Sequence, residues 1–576
     1  MNQPSSVNPR LVDRIRFPHS VGLVASCLML VGCGAEAPRA VSDARPAEFQ
    51  MAETSEAAPM EMPVAANVGM AEPADAAVDT EVEQPGGSVD QGKGAGEGGE
   101  KYDAIVDNPF LRVLDQPLST FSVDVDTASY SKVRQYLVEY QQMPRPAAVR
   151  IEELLNYFHY DYSSPLPDQS EPFATHVAVT QCPWNGKHRL VRLALKGREV
   201  ARQERPASNL VLLIDTSGSM KRPNKLPLLK RAMEMLLTRL DARDRISVVA
   251  YAGSAGLVLD GQSAAEAPAI MRGLNRLQAG GSTNGGNGLR LAYQVAREHY
   301  VDGGVNRVLL CTDGDFNVGM TGTDQMVEFV EAEAKQGIEL TVLGFGMGNL
   351  NDSMLEQISG RGNGNYAFID TENEAKKVLV DQLSGTLVTI AKDVKLQIEF
   401  NPASVAAYRL IGYENRVMNA EDFRDDKKDA GEIGAGHSVT ALYEVIPVGA
   451  ATLADVPAVD ALKYQKPPEQ SAAAESGELL TLKLRYKLPE EESSQLMEHV
   501  VYDSGATFAQ ADREFQFAAA VAGFGMLLRD SEHRGDWTYD SVLQVAEAST
   551  GVDEHGFREE FVELVAIANQ LDKRSP

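Results

Sequence analysis

Cysteine is scarce in this chain of 576 residues, which has only Cys27, Cys33, Cys182 and Cys311. So few cysteines allow little disulfide cross-linking, so the folded part must depend on hydrophobic cores. The nine histidines lack the spacing of zinc ligands, and no serine lies in a Gly-x-Ser-x-Gly elbow. Neither a common zinc site nor a hydrolase nucleophile is therefore indicated.

Positive charge is also in short supply. The chain has 54 Lys and Arg against 82 Asp and Glu, which gives a formal net charge of −28. No basic stripe interrupts this acidity, and nucleic-acid binders need one to hold phosphates. The composition therefore excludes nucleic acid as a partner.

Long hydrophobic runs are missing too, apart from one near the amino terminus. Residues 21–32 form an apolar run that is too short to span a bilayer, and Arg10, Arg14 and Arg16 precede it. This is the pattern of a signal peptide, which we place at residues 1–32. The run ends in Leu30-Val31-Gly32-Cys33, which resembles the bacterial lipobox, so Cys33 is the expected lipidation site.

Lipid on Cys33 would carry acyl chains such as palmitate and anchor the mature chain to a membrane of the cell envelope. Gly34 follows Cys33, and the absence of an aspartate there favours the outer membrane, at its periplasmic or surface face. The alternative is an uncleaved apolar anchor. Cys27 would leave with the signal peptide. We expect Cys182 and Cys311 to be free thiols, because Cys311 lies in a predicted core strand. A disulfide between them in an oxidising envelope is the alternative.

An acidic tether is predicted at residues 33–105. Residues 34–100 contain fourteen acidic and three basic residues, and Ala, Pro and Gly dominate the remainder. A segment of this composition cannot bury a core. The folded part should therefore stand off the membrane on a flexible, self-repelling linker.

The middle of the chain alternates apolar strands with amphipathic helices. Strands are predicted at 209–214, 245–251, 308–311, 338–344 and 366–369, and helices at 226–240, 289–300, 324–335, 353–359 and 374–388. Continuous apolar strands joined by helical crossovers predict an α/β fold with a doubly wound, mostly parallel sheet.

Oxygen-bearing side chains cluster in three loops attached to these elements. The loops are Asp215-Thr216-Ser217-Gly218-Ser219, Gly280-Gly281-Ser282-Thr283 and Thr312-Asp313-Gly314-Asp315. In a parallel sheet, loops at the carboxyl ends of strands meet at one edge, where ligands bind. Carboxylate and hydroxyl oxygens suit a hard divalent cation, so this edge is a predicted metal site.

The order Asp-x-Ser-x-Ser, Thr, Asp resembles the metal-ion-dependent adhesion site of von Willebrand factor type A domains. The resemblance implies that Mg²⁺ or Mn²⁺ is held by Asp215, Ser217, Ser219, Thr283 and Asp313. Ser282 competes with Thr283, because many family members have Gly-Gly-Thr where this chain has Gly-Gly-Ser-Thr. The resemblance to type A domains also implies that the ion captures an acidic side chain of a protein partner. The expected function is therefore binding rather than catalysis.

The flanking regions narrow the resemblance to YfbK-type bacterial lipoproteins. The matching motifs include residues 108–111, 119–130, 150–158, 182–185 and 312–319. The resemblance divides the folded part into an amino-terminal region at 106–205, a type A domain at 206–392 and a carboxy-terminal region at 393–576. Alternation predicts strands at 395–400, 438–446 and 479–486, followed by helices at 517–528, 539–548 and 557–571. We expect strands from both flanking regions to pair into one β-rich unit.

Two other functions compete with metal-dependent partner binding. The first is a scaffold of an envelope complex in which the metal only stiffens the loops. The second is a phosphatase with Asp124 as nucleophile, because Asp124-Val125-Asp126-Thr127 resembles the haloacid-dehalogenase loop. There the threonine comes one place early, and a helix cap by Asp126 or Thr127 is the favoured interpretation. We therefore do not expect an enzyme.

Overall fold

The structure is a computed structural model that describes residues 104–123, 126–166, 169–281, 285–314, 323–346, 352–382, 387–428, 430–450, 456 and 470–574. Several predictions from the sequence lie outside these residues. They are the signal peptide, the lipidation site Cys33, nearly all of the tether, the nucleophile candidate Asp124, and the second-loop candidates Ser282 and Thr283.

Seventeen strands form within the described residues. They are β1 (Leu111–Arg112), β2 (Leu118–Ser122), β3 (Phe173–Gln181), β4 (Arg189–Gly197), β5 (Ser208–Asp215), β6 (Arg245–Tyr251), β7 (Ala255–Ser263), β8 (Val305–Thr312), β9 (Glu339–Phe345), β10 (Tyr366–Ile369), β11 (Thr389–Phe400), β12 (Val405–Ile411), β13 (Val417–Met418), β14 (Gly431–Gly434), β15 (Ser438–Pro447), β16 (Leu480–Lys487) and β17 (Gln495–Val501).

The α-helices of the same residues are α1 (Ala128–Val138), α2 (Ile151–Tyr157), α3 (Leu226–Leu237), α4 (Ala267–Arg276), α5 (Gly285–Glu298), α6 (Thr323–Ala334), α7 (Asp352–Arg361), α8 (Glu372–Lys376), α9 (Arg513–Leu528), α10 (Tyr539–Ser549) and α11 (Phe557–Asp572). Helix α8 continues as a π-helical turn, Lys377–Asp381. No helix of the described residues combines the length and the apolar character needed to cross a membrane.

The central sheet has the order β10-β9-β8-β5-β6-β7. Its neighbours pair in parallel except β7, which runs antiparallel to β6 at the edge. The prediction of a doubly wound, mostly parallel sheet is confirmed. Strand β7 was not predicted, because its side chains are mostly half-buried or exposed and it lacks the apolar run of a central strand.

Helices cover both faces of this sheet. In β5, Leu210, Leu212 and Ile214 pack on the side of α3, α4 and α8, whereas Val211 and Leu213 pack on the side of α5, α6 and α7. Successive side chains of a strand point to opposite faces, so an unbroken apolar run supplies two cores at once. This is why residues 210–214 of β5 are all hydrophobic.

Two further sheets come from the segments before and after the central domain. One has the order β1-β12-β15-β4-β3 and the other the order β13-β2-β11-β16-β17, with β14 paired to β11. Strand β2 pairs with β11, and β4 pairs with β15, so both sheets combine residues from either side of the central domain. The expected pairing of the flanking segments into one β-rich unit is what the structure has. The inner faces of the two sheets share one apolar core.

The helices of the flanking segments form a third layer. Buried side chains of α1, α2, α9, α10 and α11 share a core with the outer face of the five-stranded sheet. Helix α9 is apolar nearly all round, and its residues from Phe517 to Leu528 are buried. The terminal helices therefore pack against the fold, as their sequences predict.

The expected cap of helix α1 is not formed as predicted. Thr127 occupies the N-cap position, but its side chain makes no capping hydrogen bond. Instead, Glu153 of α2 accepts from the Ser129 amide at 2.8 Å. The Asp126 carboxylate accepts from the Tyr366 amide of β10 at 2.7 Å. The cap expected from Thr127 is wrong, because Glu153, which is distant in sequence, supplies the better-placed carboxylate.

A buried ionic cluster joins the central domain to the flanking helices. We call it the junction cluster, and it consists of Arg134, Tyr157, Asp370, Glu374, Lys377 and Glu560. Arg134 of α1 donates to Asp370 at 2.9 Å, to Glu374 at 2.8 Å and to Glu560 at 2.8 Å. Lys377 lies 2.8 Å from the ring centroid of Tyr157. The cluster thus ties the end of β10 and helix α8 to three flanking helices.

Candidate functional site

Asp215 and Asp313 lie at the carboxyl ends of two neighbouring central strands. Asp215 is the last residue of β5, and Asp313 follows β8 directly. The parallel register pairs Ile214 with Cys311, so the two acids emerge at the same edge of the sheet. This is the edge where open α/β sheets bind their ligands.

Backbone hydrogen bonds bring the second predicted loop against the first. The Gly218 amide donates to the Gly281 carbonyl at 3.1 Å, and the Gly280 amide donates to the Thr216 carbonyl at 2.8 Å. The loop that carries Ser282 and Thr283 therefore starts beside the Asp-x-Ser-x-Ser segment. Ser282 and Thr283 themselves are outside the described residues.

The two serines of the first loop lie beside each other. The hydroxyls of Ser217 and Ser219 are 2.9 Å apart. Ser217 is buried and Ser219 is exposed, so the pair runs from the interior to solvent. A ligand held there would be reachable from outside the protein.

Two carboxylate oxygens in this site lack partners among the described residues. Asp215 is 0% exposed and Asp313 is 3% exposed. Oδ1 of Asp215 accepts from the Ser217 amide at 2.7 Å. Within the described residues, Oδ2 of Asp215 and Oδ1 of Asp313 have no hydrogen-bond partner. Buried carboxylate oxygens without partners are costly, so these two atoms mark a place for a cation.

The electrostatics of Asp215 agree with that interpretation. Burial raises the pKa of its carboxyl to about 6, and the nearby charge of Asp313 adds to the rise, whereas the hydrogen bonds from Ser217 oppose it. The ionised form is thus disfavoured in the metal-free protein. A divalent cation would reverse this preference by pairing with the charge.

Lys225 is a member of the site that the sequence analysis missed. Its Nζ donates to Oδ2 of Asp313 at 2.8 Å, and Lys225 is only 4% exposed. Its stem lies against Gly346, where φ is +76° and where any Cβ would collide with the lysine. Lys225 stands at the start of α3, outside the three oxygen-rich loops, so only the tertiary structure brings it to Asp313.

The residues present fit a hard divalent cation. Asp215 and Asp313 supply unpaired anionic oxygens, Ser217 and Ser219 supply hydroxyls, and such oxygen donors suit Mg²⁺ or Mn²⁺. Among the described residues, no three His, Cys, Asp or Glu side chains gather as a metal-binding group. The hydroxyl ligands expected from the sequence stay a prediction.

Both cysteines of the described residues are free and buried, as predicted. Burial raises the pKa of each thiol well above its ordinary value. A thiol kept protonated in this way is a poor nucleophile. Cys182 and Cys311 are therefore packing residues, and neither adds chemistry to the site.

The family comparisons agree with this architecture. Residues 209–382 match the model of the von Willebrand factor type A domain, and residues 97–192 match a model described as von Willebrand factor. Residues 385–571 match a model described as Uncharacterized protein YfbK, C-terminal. The central sheet and the flanking carboxy-terminal segment thus correspond to separate models.

Individual relatives extend the similarity along the chain. A protein of Escherichia coli (strain K12), "Uncharacterized protein YfbK", is 40% identical over 480 residues, which cover 82% of this chain and 82% of that protein. "Uncharacterized protein sll0103" of Synechocystis sp. is 31% identical over 187 residues, which cover 32% of this chain and 43% of that protein. A solved von Willebrand factor type A structure from Catenulispora acidiphila has 15% identity and a TM-score of 0.38, and covers 69% of this chain and 91% of that one.

Proposed function

Because the chain belongs to the YfbK family of proteins with a von Willebrand factor type A domain, we propose that it binds a protein partner through a divalent metal ion. Type A domains are interaction modules, many of which use such a metal. In this proposal Asp215, Ser217, Ser219, Thr283 and Asp313 hold Mg²⁺ or Mn²⁺. The partner contributes an acidic side chain to the ion.

Two carboxylate oxygens, one on Asp215 and one on Asp313, carry the proposal, because neither has a hydrogen-bond partner in the part of the chain that the structure describes. Both atoms are buried at the ligand-binding edge of the sheet, and the neighbouring Ser219 is open to solvent. Few negative charges surround the ion, so it would stay electrophilic and attract a carboxylate from outside. No bond needs to be made or broken for this role.

Crosslinking in intact cells, followed by capture of this chain, tests the proposal. A partner should be recovered with Mg²⁺ present, and Asp215→Asn or EDTA should abolish its recovery. Asp302→Asn is the matched control, because Asp302 is exposed in the loop before β8, at the opposite end of the sheet. A partner that persists through EDTA and Asp215→Asn would favour the scaffold function instead.

We also propose that the protein is a lipoprotein of the cell envelope, favouring the outer membrane. The basis is the short apolar run at 21–32 and the lipobox-like sequence before Cys33. Metabolic labelling with a fatty acid should mark the wild type and Cys27→Ser. Labelling that survives in Cys33→Ser would contradict the proposal.

A further inference from the structure

The ammonium group of Lys225 lies in the candidate site. It donates to Oδ2 of Asp313 at 2.8 Å, while Oδ1 of the same carboxylate has no partner within the described residues. Asp313 therefore has one oxygen bound to a resident cation and one oxygen left for an external cation. Among the residues that the structure describes, Asp215 pairs with no lysine and its Oδ2 has no hydrogen-bond partner.

Lys225 is held in this position by packing as well as by charge. The residue is 4% exposed, and its amide and carbonyl both take part in the turn that starts α3, through Arg222 and Leu229. The lack of a side chain at Gly346 leaves room for the lysine stem, and a Cβ there would collide with it. A buried, closely packed lysine cannot swing away to solvent as an exposed one can.

We infer that Lys225 is an internal counter-ion that weakens metal binding and reserves positive charge for the acidic ligand. This inference rests on the proposed metal site. A divalent ion held by Asp313 would share that carboxylate with the ammonium of Lys225, and like charges at short range in a partly buried site repel. With Lys225 present, the loaded site keeps an excess of positive charge that attracts a carboxylate. Without it, the two acids would neutralise the ion.

Titration calorimetry of the full chain with Mn²⁺ alone tests the inference. Lys225→Met should bind Mn²⁺ at least tenfold more tightly than the wild type, because the competing charge is gone. Lys221→Met is the matched control, since Lys221 is exposed and ends the short helix Gly218–Lys221 beside the site. Its affinity should change less than threefold, because exposed charges are screened.

A second variant separates charge from hydrogen bonding and covers the case in which Lys225→Met does not fold. Lys225→Gln keeps a donor for Asp313 without the charge, so it should also bind Mn²⁺ more tightly than the wild type. Equal or weaker binding by the folded Lys225 variants, with the wild type still binding, overturns this inference alone. Absence of Mn²⁺ binding in the wild type and in all variants overturns the metal site itself, and the inference with it.

Discussion

The candidate metal site and the junction cluster lie at the same edge of one sheet, yet the pKa values of Asp215 in the first and Glu374 in the second are shifted in opposite directions. Asp215 in the metal site is 0% exposed and Glu374 in the junction cluster is 1% exposed. Burial raises the pKa of Asp215 to about 6. Burial alone would also raise the pKa of Glu374, but Lys377 and Arg134 hold it below its ordinary value.

The difference lies in where the compensating cation comes from. In the junction cluster, Arg134 and Lys377 are built into the fold, so the carboxylates serve the attachment of one domain to another. In the metal site, Asp313 pairs with Lys225, and two carboxylate oxygens have no partner among the residues that the structure describes. The comparison teaches that burial alone does not identify a functional carboxylate. What distinguishes the metal site is that carboxylate oxygens without a partner among the described residues lie at the ligand-binding edge of the sheet.

The largest effect is expected when Arg134, one of the cations of the junction cluster, is removed. Arg134→Met should lower the free energy of unfolding by about 3–5 kcal/mol, because it leaves buried carboxylates uncompensated. Urea unfolding measures this loss. Arg534→Met is the control, since Arg534 pairs with Asp530 at 2.6 Å and the two side chains are 43% and 82% exposed, and its effect should stay below about 1 kcal/mol. Similar losses in both variants would remove the distinction between the cluster and a surface ion pair.

The next largest effect is expected when Mg²⁺ is added to the wild type. Mg²⁺ at one hundred times its dissociation constant should raise the free energy of unfolding of the wild type by about 2.7 kcal/mol, because the ion binds only the folded chain. EDTA should reverse the gain. Asp215→Asn should show no gain, and a gain of the same size in that variant would place the metal elsewhere.

Matched amide substitutions should act with opposite signs in the two regions. In metal-free protein at pH 8, Asp215→Asn should raise the free energy of unfolding by about 1–3 kcal/mol, because it removes a buried charge whose pKa is raised. The gain should grow as pH rises from the ordinary pKa of about 4 to the folded value of about 6, and then stay constant. Glu374→Gln should instead destabilise the protein, because Arg134 loses one of its three carboxylate partners. Destabilisation by both substitutions would contradict the comparison.

The smallest effect concerns proton competition at Asp215. Metal binding requires the ionised carboxylate, and its pKa in the folded protein is about 6. Mn²⁺ affinity should therefore be nearly constant above pH 7 and fall by up to tenfold per unit below pH 6, about 1.4 kcal/mol per unit. Calorimetry across pH 5 to 8 measures the profile. Affinity that is unchanged at pH 5 would exclude Asp215 as a ligand.

Local sequence was sufficient for much of the central domain. Strand β5 and the acids Asp215 and Asp313 could be located because an unbroken apolar run ends at each loop, and parallel strands bring their carboxyl ends together. The edge strand β7 could not be located, because its half-buried residues show no strong hydrophobic periodicity. The cap expected from Thr127 was wrong, because Glu153 of another helix reaches the amide of Ser129.

The sequence by itself determined the α/β alternation, the acidic composition and the oxygen-rich loops, because each depends on residues close together in the chain. Only the tertiary structure decided which charges meet. Lys225 reaches Asp313 across 88 positions, and Arg134 reaches Asp370 across 236. Such pairings follow from the packing of whole elements, and no local pattern encodes them. The roles of the two carboxylate clusters were therefore decided by the fold.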